Sequence, residues 1–287
     1  MAASSMNSGA SFARGFGCSR FHFMHSPISR CLLVVCSALL CAVASAQSSP
    51  AAPANGPVAA RSQPVMLLVH GAAGGGWQFK QVAALMEAKG WRIYRPSLSG
   101  LGEHFHTATA DIGLGTHIAD IVNLILFEDL RDVVLLGHSY AGFVIAGVAE
   151  RVPDRIRRLV YLDAFVPLDG ESLLTTRRPD APDMTKNLKD GFIIRPAIKA
   201  DAPLPRLVPH PFKTFTETIS LKNPAAAKIP GTVILTVAKG QRSEADTFYF
   251  STVRGRERGW PVHVMEADHF PMLNQPEATA ALLLGVP

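Results

Sequence analysis

From Pro64 onward, short apolar runs alternate with amphipathic stretches. The runs Val65–Val69, Arg92–Arg95, Val133–Leu136, Leu159–Leu162, Val233–Val237 and Val262–Met265 read as strands. Between them, Trp77–Ala88 sets Phe79, Val82, Leu85 and Met86 on one side of a helix. His117–Phe127 repeats Ile118, Ile121, Val122 and Ile125 at helical spacing, and Phe143–Glu150 and Pro276–Leu284 read as further helices. Strands that are apolar throughout, alternating with helices, imply a mostly parallel sheet covered on both faces. The pattern predicts one α/β domain over residues 64–287.

Residues 166–229 interrupt this rhythm. They carry Pro167, Pro179, Pro182, Pro196, Pro203, Pro205, Pro209 and Pro211, with one weak helical stretch near Thr214–Leu221. An irregular insertion of that length in a compact domain is usually functional. The expectation is a lid, because Phe192, Ile193, Ile194, Phe212 and Phe215 need an apolar surface to cover.

The N-terminal segment has a different character. Residues 1–30 contain Arg14, Arg20 and Arg30 and no acid, and an apolar run follows from Cys31 to Val43, ahead of Ala44-Ser45-Ala46. A basic region, a short apolar core and an A-x-A site describe a secretory signal peptide over 1–46, with Met24 the expected initiator. The apolar run is shorter than the roughly 20 residues a membrane span requires. Residues 47–63 are rich in Ala, Pro, Ser and Gln and read as a flexible linker. The expected mature protein is secreted or periplasmic, with no stable membrane span.

Removing the leader changes the composition in two ways. All four cysteines (Cys18, Cys31, Cys36, Cys41) leave with it, which excludes a disulfide framework, a cysteine nucleophile and a thiolate metal site. The mature chain retains 25 Lys and Arg against 23 Asp and Glu, so the net charge falls from +5 to +2. No long basic run survives, and nucleic acid is not expected as a partner.

The most informative stretch is VVLLGHSYAG, Val133–Gly142. A serine on a sharp strand-to-helix turn needs small residues two before and two after it, where the two backbones crowd. Gly137 and Ala141 meet that demand around Ser139, and Gly142 adds clearance. A serine hydroxyl needs a base, and such a turn takes its partners in the chain order Ser, acid, His. His269 follows the last strand and is the candidate base. The acid is less obvious. No carboxylate directly follows Val233–Val237, where Ala238-Lys239-Gly240-Gln241-Arg242 stands; Glu244 and Asp246 come later. Asp163, ending the preceding strand in LVYLDAFVP, could reach the same imidazole and is the preferred acid, with Asp246 and Glu244 as alternatives. Two backbone N–H groups must receive the oxyanion. Tyr140 follows the nucleophile, and the Gly-rich loop His70-Gly71-Ala72-Ala73-Gly74-Gly75-Gly76 supplies the other, expected at Ala72. That loop lacks the G-x-G-x-x-G and Gly-Lys-Ser/Thr patterns of nucleotide binding. His104 and His106 lack a third metal ligand, so neither a metal nor an organic cofactor is called for.

These residues resemble the α/β-hydrolase superfamily, within it the branch of plant methylesterases, hydroxynitrile lyases and bacterial esterases. The likeness runs from about Pro64 to Leu284 and rests on VMLLVHGAAGGGW, RPSLSGLGE, DIGLGTHIADIV, VVLLGHSYAG, LVYLDAFVP and EADHF. It implies Ser139 as nucleophile, His269 as base and Ala72 and Tyr140 as oxyanion donors. At Gln241 the chain departs from the plant pattern, whereas haloalkane dehalogenases place their acid where Asp163 stands. Lyases of this branch carry Thr in the oxyanion loop and Lys after the histidine; here Gly71 and Phe270 hold those positions. The expectation is a serine esterase acting on a small, largely apolar ester through an acyl-enzyme. The alternatives are cyanohydrin cleavage and a non-catalytic ligand-binding role.

Overall fold

The computed structural model describes residues 63–177 and 183–286. The expected signal peptide and nearly all of the linker lie outside the described residues. The elements are β1 (Val65–Val69), α1 (Lys80–Glu87), β2 (Arg92–Tyr94), α2 (Leu114–Phe127), β3 (Val133–His138), α3 (Ala141–Arg151) and β4 (Ile156–Leu162). The insertion holds α4 (Leu173–Thr176), β5 (Leu188–Lys189), β6 (Phe192–Ile193), β7 (His210–Pro211) and α5 (Lys213–Thr216). The chain closes with β8 (Gly231–Val237), α6 (Tyr249–Glu257), β9 (Val262–Glu266), α7 (Pro271–Asn274) and α8 (Pro276–Leu284).

Successive side chains of a strand point to opposite faces, so apolar strands feed two cores at once. Leu67, Val69, Leu135, Tyr161 and Leu235 pack with Ile118, Ile121 and Ile125 of α2 and Phe143 and Val144 of α3. Met66, Leu68, Val134, Leu136, Val160 and Ile234 face the other way, against Val82 and Met86 of α1 and Leu283 of α8. Each such fully buried aliphatic side chain is favoured by roughly 1.5–3 kcal/mol over exposure. The six strands run in the order β2-β1-β3-β4-β8-β9, and every neighbouring pair is parallel. This is the expected α/β-hydrolase architecture. The strand order reverses between β1 and β3, so the loops at the carboxyl ends of these strands border a crevice suited to a ligand.

The periodicity gave no sign of α6. Its buried residues are Ser251, Thr252 and Gly255. A Cβ on Gly255 would meet Val233 at 2.7 Å, so the helix lies close on β8 through small residues that carry no hydrophobic signal. In the insertion, β5, β6 and β7 form a separate antiparallel sheet. Of the apolar residues expected to cover something, Phe215 and Ile193 are buried, while Ile194 is 36% exposed. The weak helix contracts to the single turn of α5, because Glu217 already has extended backbone and residues 218–221 are not helical. No helix among the described residues is long and apolar enough to cross a membrane.

Candidate active site

β3 delivers Ser139 at its carboxyl end, one residue before Tyr140 leads into α3. Ser139 has φ +55°, a left-handed conformation that strains any residue with a Cβ. Three hydrogen bonds hold it there. Its N–H donates to Leu162 O at 3.3 Å, and its carbonyl accepts from Gly142 N and Phe165 N, each at 3.2 Å. The small residues around it have specific reasons. A Cβ on Gly137 would stand 2.6 Å from the Ala141 carbonyl oxygen, and one on Gly142 only 1.9 Å from that of Phe165. Gly142 therefore does more than add clearance, because it lets α3 seat on the segment after β4.

β4 ends at Leu162, and Asp163 follows with φ +43°. Its side chain is 2% exposed. Asp163 Oδ1 accepts from Thr236 N at 3.0 Å, and its N–H donates to Ile234 O at 2.7 Å, so β8 fixes the carboxylate from one side. On the other side, Oδ2 lies 2.6 Å from His269 Nδ1. His269 Nε2 in turn lies 3.0 Å from Ser139 Oγ. With a buried carboxylate at Nδ1, the imidazole carries its proton there and leaves the Nε2 lone pair facing the serine hydroxyl.

The loop bearing His269 is secured at several points. Asp268 accepts from Phe270 N at 2.8 Å and from Asn274 Nδ2 at 2.6 Å. Phe248 stacks on the His269 ring at 5.2 Å, with the ring planes nearly parallel at 7°, and Phe270 meets it edge-on at 5.0 Å. The Nε2–H of buried His138 donates to the His269 carbonyl at 2.7 Å. Burial, then repulsion from His269, holds the His138 pKa well below the usual histidine value, so it remains neutral beside His269.

The alternative acids sit elsewhere. Glu244 pairs with Arg242 at 3.5 Å on the surface. Asp246 is half-buried in the pocket wall, but its Oδ1 accepts from Phe248 N at 2.7 Å and no hydrogen bond joins it to His269. Burial, with the Asp163 charge nearby, raises its carboxyl above the ordinary value. Ala72 and Tyr140 both line the pocket beside Ser139, and no hydrogen bond among the described residues uses either amide.

The pocket has a volume of about 560 Å³. Phe165, Leu173, Met184, Phe215 and Phe248 give it apolar wall, while the insertion also contributes Arg177 and Arg195, which the sequence pattern had not singled out. His104 and His106 lie on an exposed turn, where His106 Nδ1 contacts Glu103 O and Glu103 accepts from Ser97 Oγ, which ties that loop. His263 is exposed on edge strand β9. No group of three or more metal-ligating side chains occurs among the described residues.

Comparison with known proteins gives this geometry its context. Residues 66–282 match the model of the Alpha/beta hydrolase family. The chain belongs to that family. A carbendazim hydrolyzing esterase of Nocardioides sp. (strain SG-4G) is 34% identical over 241 residues, covering 77% of this chain and 98% of the relative. Methylesterase 3 of Arabidopsis thaliana is 24% identical over 252 residues, covering 77% and 95%. Among solved structures, an extracellular alpha/beta-hydrolase from a Paenibacillus species superposes with a TM-score of 0.65 at 24% identity, covering 77% of this chain and 98% of that one. The expectation of a carboxylic ester hydrolase agrees with these relatives, and so does the resemblance to the methylesterase branch.

Proposed function

We propose that the protein is a serine esterase that works through an acyl-enzyme. The observation that carries the reading is the unbroken chain from Ser139 Oγ through His269 to buried Asp163, with distances of 3.0 and 2.6 Å. Ser139 Oγ attacks the ester carbonyl as His269 Nε2 takes its proton. The Ala72 and Tyr140 amides receive the oxyanion, helped by the positive end of α3. Collapse of the tetrahedral intermediate expels the alcohol, which leaves with the proton from His269. Water, deprotonated by the same histidine, then hydrolyses the acyl-enzyme. Asp163 holds the imidazole in the productive tautomer and stabilises its protonated form.

The pocket's size and its phenylalanine, leucine and methionine wall support a small, largely apolar ester. Cyanohydrin cleavage is disfavoured at Gly71, where a Cβ would stand 3.0 Å from Ser139 Cβ and 2.8 Å from His138 Nδ1, leaving no room for a threonine. Residues 1–46 direct export and are removed, which would place the enzyme outside the cytoplasm; a relative described as extracellular supports that reading. The test is turnover of p-nitrophenyl esters of graded chain length beside mandelonitrile, with labelling by a fluorophosphonate. Ester hydrolysis and labelling at Ser139 are expected. Mandelonitrile cleavage without ester turnover, or an unlabelled folded protein, would overturn the assignment.

A further inference from the structure

One segment of the insertion occupies both backbone groups of Ala73. The Val208 N–H donates to Ala73 O at 2.9 Å, and the Ala73 N–H donates to His210 Nδ1 at 3.1 Å. Ala73 directly follows Ala72, one of the proposed oxyanion donors. Its φ is +63°, a left-handed conformation that a non-glycine residue keeps only when its surroundings impose it. With its N–H and carbonyl both held, the peptide planes on either side of Ala73 are fixed. These bonds hold the carbonyl side of Ala72, and they bear on the Ala72 N–H, which lies in the Gly71–Ala72 plane, across that one residue.

The acceptor role of His210 is itself enforced. The Thr214 hydroxyl donates to Pro211 O at 2.7 Å, so its oxygen is left to accept from His210 Nε2–H at 2.8 Å. The proton therefore resides on Nε2, and Nδ1 presents its lone pair to the Ala73 amide. His210 is 1% exposed. Its ring stacks on Phe215 at 4.6 Å and meets the Tyr140 ring edge-on at 5.1 Å. Tyr140 carries the second donor. His210 does not line the pocket, so it acts on the chemistry only through these neighbours.

We propose that His210 is a positioning residue that builds the oxyanion hole from the lid, through Ala73 on one side and the Tyr140 ring on the other. The proposal rests on the serine-esterase reading. It implies that oxyanion stabilisation depends on the insertion being docked, although neither amide donor belongs to the insertion.

Three variants test it on p-nitrophenyl acetate. His210→Leu removes the acceptor and keeps bulk. His210→Asn leaves a side-chain oxygen close to where Nδ1 stands. Thr214→Val preserves His210 but deletes the acceptor that keeps its proton on Nε2. Complete loss of an oxyanion donor lowers kcat about 10²–10³-fold, so misaligning one should lower it about 10–100-fold. That fall is expected for His210→Leu and Thr214→Val, with KM within about threefold of wild type. Affinity for a trifluoromethyl ketone, whose adduct carries an oxyanion, should fall in parallel with kcat. His210→Asn should recover kcat to within about fivefold of wild type. Folded His210→Leu and Thr214→Val proteins with wild-type kcat would overturn the proposal, as would a His210→Asn as impaired as His210→Leu. Should His210→Leu fail to fold, Thr214→Val decides alone. Wild type that neither turns over esters nor labels at Ser139 overturns the esterase reading and this proposal together; normal wild-type activity with insensitive variants overturns only this one.

Discussion

Asp163→Asn isolates the charge of the proposed acid with little change in shape. Asn tolerates the left-handed backbone found at Asp163, and its oxygen can still accept from Thr236 N. Its amide nitrogen would then face His269 Nδ1, across the 2.6 Å now spanned by a carboxylate. An amide N–H there favours the tautomer protonated on Nε2, which cannot accept the serine proton. It also removes the countercharge for the imidazolium. Two unit charges 4 Å apart attract by about 4 kcal/mol at an effective dielectric of 20, and this contact is closer and buried. An expected loss of about 5 kcal/mol corresponds to roughly 10⁴ in kcat, similar to what the equivalent substitution costs in serine proteases. The assay is kcat and KM on a p-nitrophenyl ester, with circular dichroism and Tm to establish folding. KM should stay near wild type, since the lost interaction matters chiefly once the imidazole is charged. Asp246→Asn, whose carboxylate has no hydrogen bond to His269, should change kcat less than about tenfold. An inactive Asp246→Asn beside an Asp163→Asn within tenfold of wild type would refute the reasoning and move the acid to the loop after β8.

Ser139→Gly should abolish turnover and fluorophosphonate labelling yet raise stability by up to about 1 kcal/mol, because glycine relieves the +55° φ; a lower Tm would contradict that strain. Burial lowers the pKa of His70 and His117 to about 4, whereas in the unfolded chain each titrates near 6.5. The unfolded state therefore binds more protons between these values, so this contribution to stability is complete above about pH 6.5 and is lost as pH falls toward 4. From pH 7 to 5 each should cost about 2 kcal/mol, read as a lower urea midpoint; an unchanged midpoint would argue against buried neutral histidines. Mass spectrometry of exported protein should find Gln47 at the N-terminus, and retention of residues 24–46 would remove the basis for a cleaved leader.

The parts of this molecule that sequence made legible are those where one physical demand leaves few residue choices. A parallel strand covered on both faces must be apolar at nearly every position, so β1, β3 and β8 stand out. A serine turning from strand into helix requires small neighbours, which Gly137 and Ala141 supply, and Asp163 stands out because nothing acidic directly follows β8. Helix α6 stayed hidden because close approach to the sheet selects Ser251, Thr252 and Gly255 rather than large apolar side chains. The insertion was visible through its prolines, but its small sheet and the Arg177 and Arg195 wall were not. Strands of two residues carry no period, and the placement of those arginines depends on where the insertion docks.

The buried histidines are the least legible part of the site, for a reason that also explains their use. His70, His117 and His210 are far apart in sequence, yet each spans two loops near Ser139. His70 Nε2 accepts from Leu98 N at 3.0 Å, while its Nδ1–H donates to Gly71 O at 2.8 Å. His117 Nε2–H donates to Ser99 O, and its Nδ1 accepts the Tyr140 hydroxyl, each at 3.0 Å. His210 does the same between Thr214 and Ala73. A Gly-rich loop leaves buried backbone amides and carbonyls that helices and strands do not satisfy, and each orphan would cost about 1–3 kcal/mol. Neutral imidazole offers one donor and one acceptor on a rigid ring, with no charge to desolvate. A lysine or carboxylate in these places would bring a buried charge beside the nucleophile, and an alanine would leave the loop free to turn its amides away. The frame around the proposed oxyanion donors is therefore built from groups that are polar but uncharged at neutral pH. Its acid sensitivity follows from the same choice, since a protonated ring can no longer accept from Leu98, Tyr140 or Ala73.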